Sequence, residues 1–383
     1  MRSTTLRSLL LSGFILFIVS CSPVKKIIQP ATGVTAIKFL GEYDIPYNLN
    51  FQNTTVGGLS GIDYDAKNDQ YYMICDDRSD KNPARFYTAR IFITGKGIDS
   101  VQFTGVKSLL NAAGNVYPGS KQDAYHTPDP EAMRYDAAHK RLVWSSEGER
   151  IIRATDTVLA DPSITIISTD GKYIDSLPLP ANLRMHATEE GPRQNGVLEG
   201  LTFADNYKAI FVSVEEPLYQ DGPRADVIEN NAMIRIYKFD ATTKKNLAQY
   251  AYKLDPIANP ANPPAGFKIN GVPDILSMGN NKLLVLERSF STGIAACTIK
   301  VFIVDLGTAT DVSRAVLKDN KNYTPVSKKL LYNMNALGIY TDNIEGMTFG
   351  PLLPNGHKTI LFLADNNFSS AEKAQVFLFE VIE

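Results

Sequence analysis

One short motif returns five times along the chain at nearly constant spacing, and nothing else restricts the fold as much. The copies are GGLSGIDYDAKNDQYYMICDDR from Gly57, PDPEAMRYDAAHKRLVWSSEGER from Pro128, GVLEGLTFADNYKAIFVSVEEP from Gly196, GVPDILSMGNNKLLVLERSF from Gly271 and DNIEGMTFGPLLPNGHKTILFLADNNF from Asp342. Each reads as a short strand, a turn and a second strand ending in acid. Taking Ser60, Glu131, Glu199, Asp274 and Glu345 as the first polar anchors, successive copies lie 71, 68, 75 and 71 residues apart. In the third copy the period-two alternation continues over 200–203, 209–214, 233–239 and 247–254. Four antiparallel strands make a propeller blade. Third strands are expected at 86–93, 164–168, 299–304 and 375–381, and fourth strands at 101–106, 173–177 and 328–332. The fifth copy runs out of chain after its third strand, whereas residues 35–45 form a strand with no repeat of its own. Placing that strand fourth in the last blade closes the ring and removes an open sheet edge. The expectation is an all-β, five-bladed β-propeller over residues 35–383, with a six-bladed ring containing one degenerate blade as the alternative.

Composition agrees with many short strands: 18 Tyr, 18 Phe, 26 Gly and 21 Pro accompany a single Trp. A formal charge of −2 over 383 residues gives no bulk attraction for nucleic acid. At the N-terminus Arg2 and Arg7 precede an apolar run over 9–19, too short for the roughly 20 residues that cross a bilayer. It reads as a signal peptide over 1–20. Ile18-Val19-Ser20-Cys21 resembles a bacterial lipobox, making Cys21 the expected lipidated residue, with 21–34 as the tether. A diacylglycerol together with an N-acyl chain meets the two-signal requirement for stable anchoring. The expected location is therefore the outer membrane or its periplasmic face. The remaining cysteines, Cys75 and Cys297, are flanked by strand-forming residues and are expected as buried free thiols.

In an antiparallel blade the start of the first strand and the end of the second lie at the same end of the sheet. The first anchors and the acids closing each second strand, Asp76 and Asp77, Glu147 and Glu149, Glu215 and Glu216, Glu287 and Asp365, are therefore expected around one mouth of the channel. Carboxylates crowded in this way repel one another unless positive charge sits among them. An all-oxygen donor set suits calcium or magnesium and argues against zinc. The expected metal ligands are Glu131, Glu199, Asp274, Glu345, Glu215 and Asp365. Arginine is the other source of charge: Arg78, Arg150 and Arg288 closely follow the second-strand acids, and Arg134 follows Glu131. The competing architectural reading has the repeated acids accepting backbone amides of the neighbouring blade. Symmetry breaks at Ser60 and Asp274, and substrate is expected beside them.

Four histidines are present. His139 and His357 sit in turns, whereas His126 and His186 lie in loops leading into the second and third copies. Those two are candidates for a general acid or base near neutral pH. A nucleophile elbow, an H-E-x-x-H pair, a Walker loop and a dinucleotide fingerprint are all missing from the sequence, and no organic cofactor is expected.

As a set, Gly58-Leu59-Ser60-Gly61-Ile62, Asp129-Pro130-Glu131-Ala132, Leu198-Glu199-Gly200-Leu201-Thr202-Phe203 with Glu215, and Asn343-Ile344-Glu345-Gly346-Met347 with Ala364-Asp365-Asn366 resemble the esterase-like phytase family of bacterial propellers. The resemblance spans residues 41–383. It implies a secreted or surface propeller that hydrolyses phosphate esters or phosphodiesters through its repeated Glu and Asp. Calcium-dependent phytases hold several metals in dense aspartate clusters, whereas the acids here are mainly Glu at intervals near 70. On this reading Glu131, Glu199 and Glu345 hold a cation or move protons, and Arg78, Arg150 or Arg288 orients an anionic substrate with Ser60 nearby. The alternative is a non-catalytic surface propeller binding a glycan or peptide at the same mouth.

Overall fold

The computed structural model describes residues 33–383 apart from Lys96 and Lys321; Cys21 and the leader before it lie outside the described residues. Five four-stranded antiparallel sheets stand in a ring. Blade 1 contains Leu59–Asp65, Gln70–Cys75, Arg85–Thr94 and Gly97–Ser108; blade 2 contains Pro130–Asp136, Arg141–Ser146, Ser163–Ser168 and Tyr173–Ser176. Blade 3 contains Leu198–Ala204, Ala209–Val214, Met233–Asp240 and Asn246–Lys253; blade 4 contains Lys268–Gly279, Lys282–Ser291, Thr298–Asp305 and Ser327–Asn333. Blade 5 takes Asn343–Gly350, Thr359–Asp365 and Ala374–Ile382 from the C-terminus and Ala36–Ile45 from the N-terminus. That last strand pairs antiparallel from Ala36 opposite Ile382 to Ile45 opposite Ala374. The ring is thus closed as expected, and the six-bladed alternative is set aside. Two further two-stranded ladders, Asn50–Phe51 with Thr54–Thr55 and Glu149–Ile152 with Thr157–Ala160, are loop decorations and do not add a blade. No helix among the described residues is long and apolar enough to cross a membrane. Cys75 and Cys297 are free and buried.

Alternation of side chains puts one face of every inner strand into the packing between blades. Ile62, Met133, Leu201, Ile275 and Met347 occupy equivalent places there and are fully buried. On the mouth side of these residues every inner strand carries a register shift, between Leu59 and Gly61, Pro130 and Met133, Leu198 and Leu201, Gly271 and Asp274, and Ile344 and Gly346. A β-bulge leaves a residue unpaired and re-aims its side chain. Ser60, Glu131, Glu199 and Glu345 lie in these bulges. In blade 4 the equivalent residue is Pro273, and Asp274 falls one place further in, level with Gly61, Ala132, Gly200 and Gly346. Inner strands approach so closely at this level that a Cβ on Gly61 would lie 2.8 Å from the Glu131 carbonyl oxygen.

Asp274 therefore points to the ring axis, where it meets Arg134. The guanidinium of Arg134 donates from Nη2 to both Asp274 oxygens at 2.8 and 2.7 Å, from Nε to the Leu201 carbonyl at 2.5 Å, and from Nη1 to the Ile62 carbonyl. Asp274 also accepts the amide of Met347 at 2.8 Å. One buried ion pair thereby joins blades 1, 2, 3, 4 and 5. A second axial carboxylate, Asp63, accepts from the Tyr135 amide at 2.8 Å and the Thr348 hydroxyl at 3.1 Å, linking blade 1 to its two neighbours.

Burial pushes the Asp274 carboxyl up to about 6, and Arg134 opposes that rise. Arg134→Leu leaves the carboxylate buried and unpaired, so unfolding free energy is expected to fall by about 3–5 kcal/mol, read from the denaturant midpoint. An Arg134→Leu/Asp274→Leu double variant should recover part of that loss. An unchanged midpoint in the single variant would remove the pair's structural role.

Candidate functional site

The closing turn of each second strand carries a residue equivalent across the blades: Asp76, Glu147, Glu215, Arg288 and Asp365. The pairing fixes this equivalence, since Leu59 opposes Cys75, Ile344 opposes Ala364 and Gly271 opposes Arg288. Blade 4 thus places arginine where the other four place acid. Glu287, expected at the mouth, is turned between blades 3 and 4. There it accepts from Tyr252 Oη at 2.5 Å, the Asp255 amide at 3.1 Å and Asn270 Nδ2 at 2.7 Å, and pairs with Lys328 at 2.7 Å. Glycines make room for the ring: a Cβ on Gly271 would lie 2.5 Å from Glu215 Cγ, and Gly58, at φ +59°, leaves the space that Asp76 fills.

Six residues of the two sets, Asp76, Glu131, Glu199, Glu215, Arg288 and Glu345, line a cavity of about 530 Å³. Glu131, Glu199 and Glu345 face it from the bulges, Asp76 and Glu215 from the second strands, and Asp129, Asp342 and Glu372 from the rim. Arg78 and Arg288 are the two basic residues lining it. Arg288 bridges Glu215 at 2.7 Å and Glu345 at 2.5 Å; Arg78 pairs with Glu149 at 2.8 Å and Asp129 at 3.6 Å. Phe267, Ile269, Phe290 and Tyr340 form an apolar side wall.

Two arginines do not neutralise this many acids. Burial holds the Glu131 carboxyl well above the usual range, and the charges of Glu199, Asp129 and Glu147 raise it further. Burial followed by Glu147 and Glu215 does the same to Glu199. Burial and Asp129 push Glu147 up to about 8, although it is hydrogen-bonded to Glu199 and accepts the Val197 amide. Asp129 is pushed up to about 6 by burial, against the pull of Arg78. Across the cavity Asp76 and Asp365 are likewise buried and raised, and one oxygen of Asp365, Oδ1, is buried without a partner.

The expected site residues divide accordingly. Glu131, Glu199, Glu215, Glu345, Arg78 and Arg288 come together around the cavity, with Asp365 buried just behind it. Ser60 is buried at the blade 1–2 seam, where its hydroxyl donates to the Glu131 carbonyl at 2.8 Å. Asp274 belongs to the axial pair and not to the mouth, because the blade 4 bulge shifts it by one residue. His126 is exposed and bonded to Asp123 at 2.7 Å; His186 and Arg150 lie on an outer loop, where Arg150 Nε donates to the His186 carbonyl at 2.9 Å. Neither histidine lines the cavity, although Asp129 and Asn195 of the same two entering loops do.

The donor set that fits a cation is Asp129, Glu131 and Glu147, which each offer one carboxylate oxygen within 4.8 Å of the other two. Oxygens at about 2.4 Å from one centre span at most about 4.8 Å, so three can meet on calcium, and their hard, anionic character suits calcium or magnesium. Only Glu131 of this trio was among the expected ligands. Asp129 was legible only as the second acid of the Asp129-Pro130-Glu131 motif, next to the bulge that re-aims Glu131.

The folded protein holds protons on these acids that the unfolded chain releases. Stability from this cluster is therefore fully present below the unfolded carboxyl range, and it declines as pH rises through about 6 for Asp129 and about 8 for Glu147. Metal-stripped protein should show a Tm that falls between pH 5 and 8. Millimolar calcium or magnesium should restore it at pH 8 and change little at pH 5. Glu131→Gln should abolish that restoration; a cation effect independent of pH would discount the site.

Among solved structures, hydrazine synthase of Kuenenia stuttgartiensis is 12% identical, covering 84% of this chain and 71% of its own, with a TM-score of 0.36. The periplasmic gluconolactonase of Pseudomonas aeruginosa is 10% identical over 86% and 90%, with a TM-score of 0.37. An α-L-arabinofuranosidase of Lactobacillus brevis is 10% identical over 85% and 91%, with a TM-score of 0.43. These likenesses are too distant to bear on activity. No curated protein matches the sequence. The model of one family matches residues 54–368, which takes in the repeated motif of all five blades and every acid of the cavity but Glu372; the chain belongs to the phytase-like family, described by the esterase-like activity of phytase.

Proposed function

We propose that the acidic cup hydrolyses a small anionic ester, a phosphate monoester or diester, with calcium or magnesium held by Asp129, Glu131 and Glu147. Membership of the phytase-like family supports a hydrolase-type propeller. The observation that carries the finer reading is the charge of the lining: eight carboxylates against two arginines. Such a cup repels an anionic ester until a cation compensates it, and it holds the cation's donors already assembled. When bound, the cation supplies charge for the ester oxygens and lowers the pKa of a water.

Glu199, which lines the cavity and is hydrogen-bonded to Glu147, is the carboxyl placed to take a proton from the attacking water once the cation's charge favours its ionised form. The new bond forms between water oxygen and phosphorus, the bond to the alcohol oxygen breaks, and Glu199 returns the proton to the departing alcohol. Arg288 and Arg78 orient the anion; each has an Nε without a partner, and Glu345 holds Arg288 in place. With His126 and His186 outside the cavity, carboxyl groups carry the acid–base roles.

The second reading, a non-catalytic propeller for a glycan, peptide or cation, draws support from Glu147, whose bond to the Val197 amide joins blade 2 to blade 3. The separating experiment is turnover of a phosphomonoester and phosphodiester panel by metal-stripped protein, with calcium, magnesium or manganese returned. Glu199→Gln is expected to lower kcat by about 10²- to 10⁴-fold with little change in Tm. Absence of turnover under every condition would leave the binding reading.

We further propose that the chain is exported and anchored through a lipid on Cys21, as its leader suggests. Cys21→Ser should move the protein from the membrane fraction to the soluble fraction and abolish incorporation of labelled fatty acid.

A further inference from the structure

The asymmetry of the ring is concentrated in blade 4. Its inner strand, Lys268–Gly279, has 12 residues and its second strand, Lys282–Ser291, has 10, whereas the inner strands of the other blades have 7 or 8. The extra ladder stands above the rim, with Asn270 opposite Ser289, Ile269 opposite Phe290 and Lys268 opposite Ser291. Alternation along an extended strand puts Phe290 on the same face as Arg288, two residues away, and Phe267 on the same face as Ile269. All four line the cavity.

The two phenyl rings have centroids 6.2 Å apart and are tilted by 37°. Phe267 is 58% exposed and Phe290 36% exposed. Aromatic side chains bury large areas when they have a partner, and an exposed pair facing a polar cavity is contact surface left for a ligand. About 7 Å of strand separates Phe290 from Arg288, so a group stacked on the phenyls lies next to an anion held at the guanidinium. The neighbouring wall adds Tyr340, whose hydroxyl donates to Asp342 at 3.0 Å and which lines the same space.

We propose that the Phe267–Phe290 pair is a stacking platform that selects esters whose alcohol part carries an uncharged ring with an apolar face close to the ester oxygen. The inference rests on the hydrolase reading for the ester end and on the blade 4 wall for the ring end. Aryl rings offer a planar face and glycosyl rings a puckered face of C–H bonds, and either stacks on a phenyl; linear alcohols lack such a face. Phe267 and Phe290 are specificity-determining residues that touch the substrate away from the reacting phosphorus.

The test is equilibrium binding in the presence of calcium, using 4-nitrophenyl phosphate, glucose 1-phosphate, methyl phosphate and 4-nitrophenol with the parent, Phe267→Ala, Phe290→Ala and Phe267→Trp proteins. Each variant is first checked for an unchanged circular dichroism spectrum. Ring-bearing phosphates should bind the parent about tenfold tighter than methyl phosphate, either alanine variant should erase that preference, and tryptophan should keep or increase it. A loss confined to the aryl ligand, or to the sugar ligand, names the ring. Parent protein that binds methyl phosphate as tightly as the ring-bearing esters, or alanine variants that weaken all ligands equally, overturns the platform. Binding of 4-nitrophenol that depends on Phe267, with none of the phosphates bound, overturns the ester reading and leaves the platform standing.

Discussion

The buried pair of Arg134 and Asp274 at the ring axis is the interaction on which the rest of the structure depends. A closed ring of sheets needs its inner strands held at fixed distances, and at the axis they are close enough that glycine or alanine is required in four of the five blades. Guanidinium suits this place because its planar fork can reach carbonyls of two blades and a carboxylate of a third at once. Desolvating two charges is costly, and a pair of this kind specifies an arrangement more than it adds stability. Here it specifies which blade faces which: Arg134 comes from blade 2 alone and Asp274 from blade 4 alone.

Above that hub, the bulge repeated in every inner strand converts a structural repeat into a chemical one. A regular ladder would bury the anchor in the packing between blades or turn it to the opposite face. The bulge instead leaves Glu131, Glu199 and Glu345 aimed into the cup, where they meet the acids that end the second strands. Five identical blades would give a symmetric ring of like charge with no place for an asymmetric ligand. Blade 4 breaks it, with Pro273 and Arg288 at the two ring positions and a taller hairpin bearing Phe267 and Phe290. One side of the cup is consequently basic and aromatic, and the opposite side, at Asp129, Glu131 and Glu147, is a concentrated oxygen site.

The acids are held in a state that their surroundings oppose. Glu131, Glu147 and Glu199 are raised chiefly by burial, and their mutual repulsion adds to it. Protons or a divalent cation relieve the same strain, so affinity for one is tied to loss of the other. Glu287 shows the contrasting outcome. Fully bonded to Tyr252, Asn270, Lys328 and the Asp255 amide, it is an inter-blade stitch and takes no part in the cup. Acids of the same motif thus serve architecture or the site according to whether their partners come from the protein.

Five copies of a strand–turn–strand pattern, alternation with a period of two and an unpaired N-terminal strand determined the propeller and pointed to five blades closed by that strand, because these are local or periodic properties that a chain carries in its order of residues; the tertiary structure set the six-bladed alternative aside. The same information brought Glu131, Glu199, Glu215, Glu345, Arg78 and Arg288 to one mouth, since antiparallel strands fix which ends share a side. Which residue of blade 4 occupies each ring position was decided only by the tertiary structure. A bulge displaces the pairing by one residue without leaving a sign in composition, so Asp274 passed to the axis, Glu287 to the seam, and Arg288 into the ring of acids. The absence of His126 and His186 from the cavity lining, and the meeting of Asp129 and Glu147 with Glu131, were settled there as well, because they depend on contacts between segments that have no local reason to find one another.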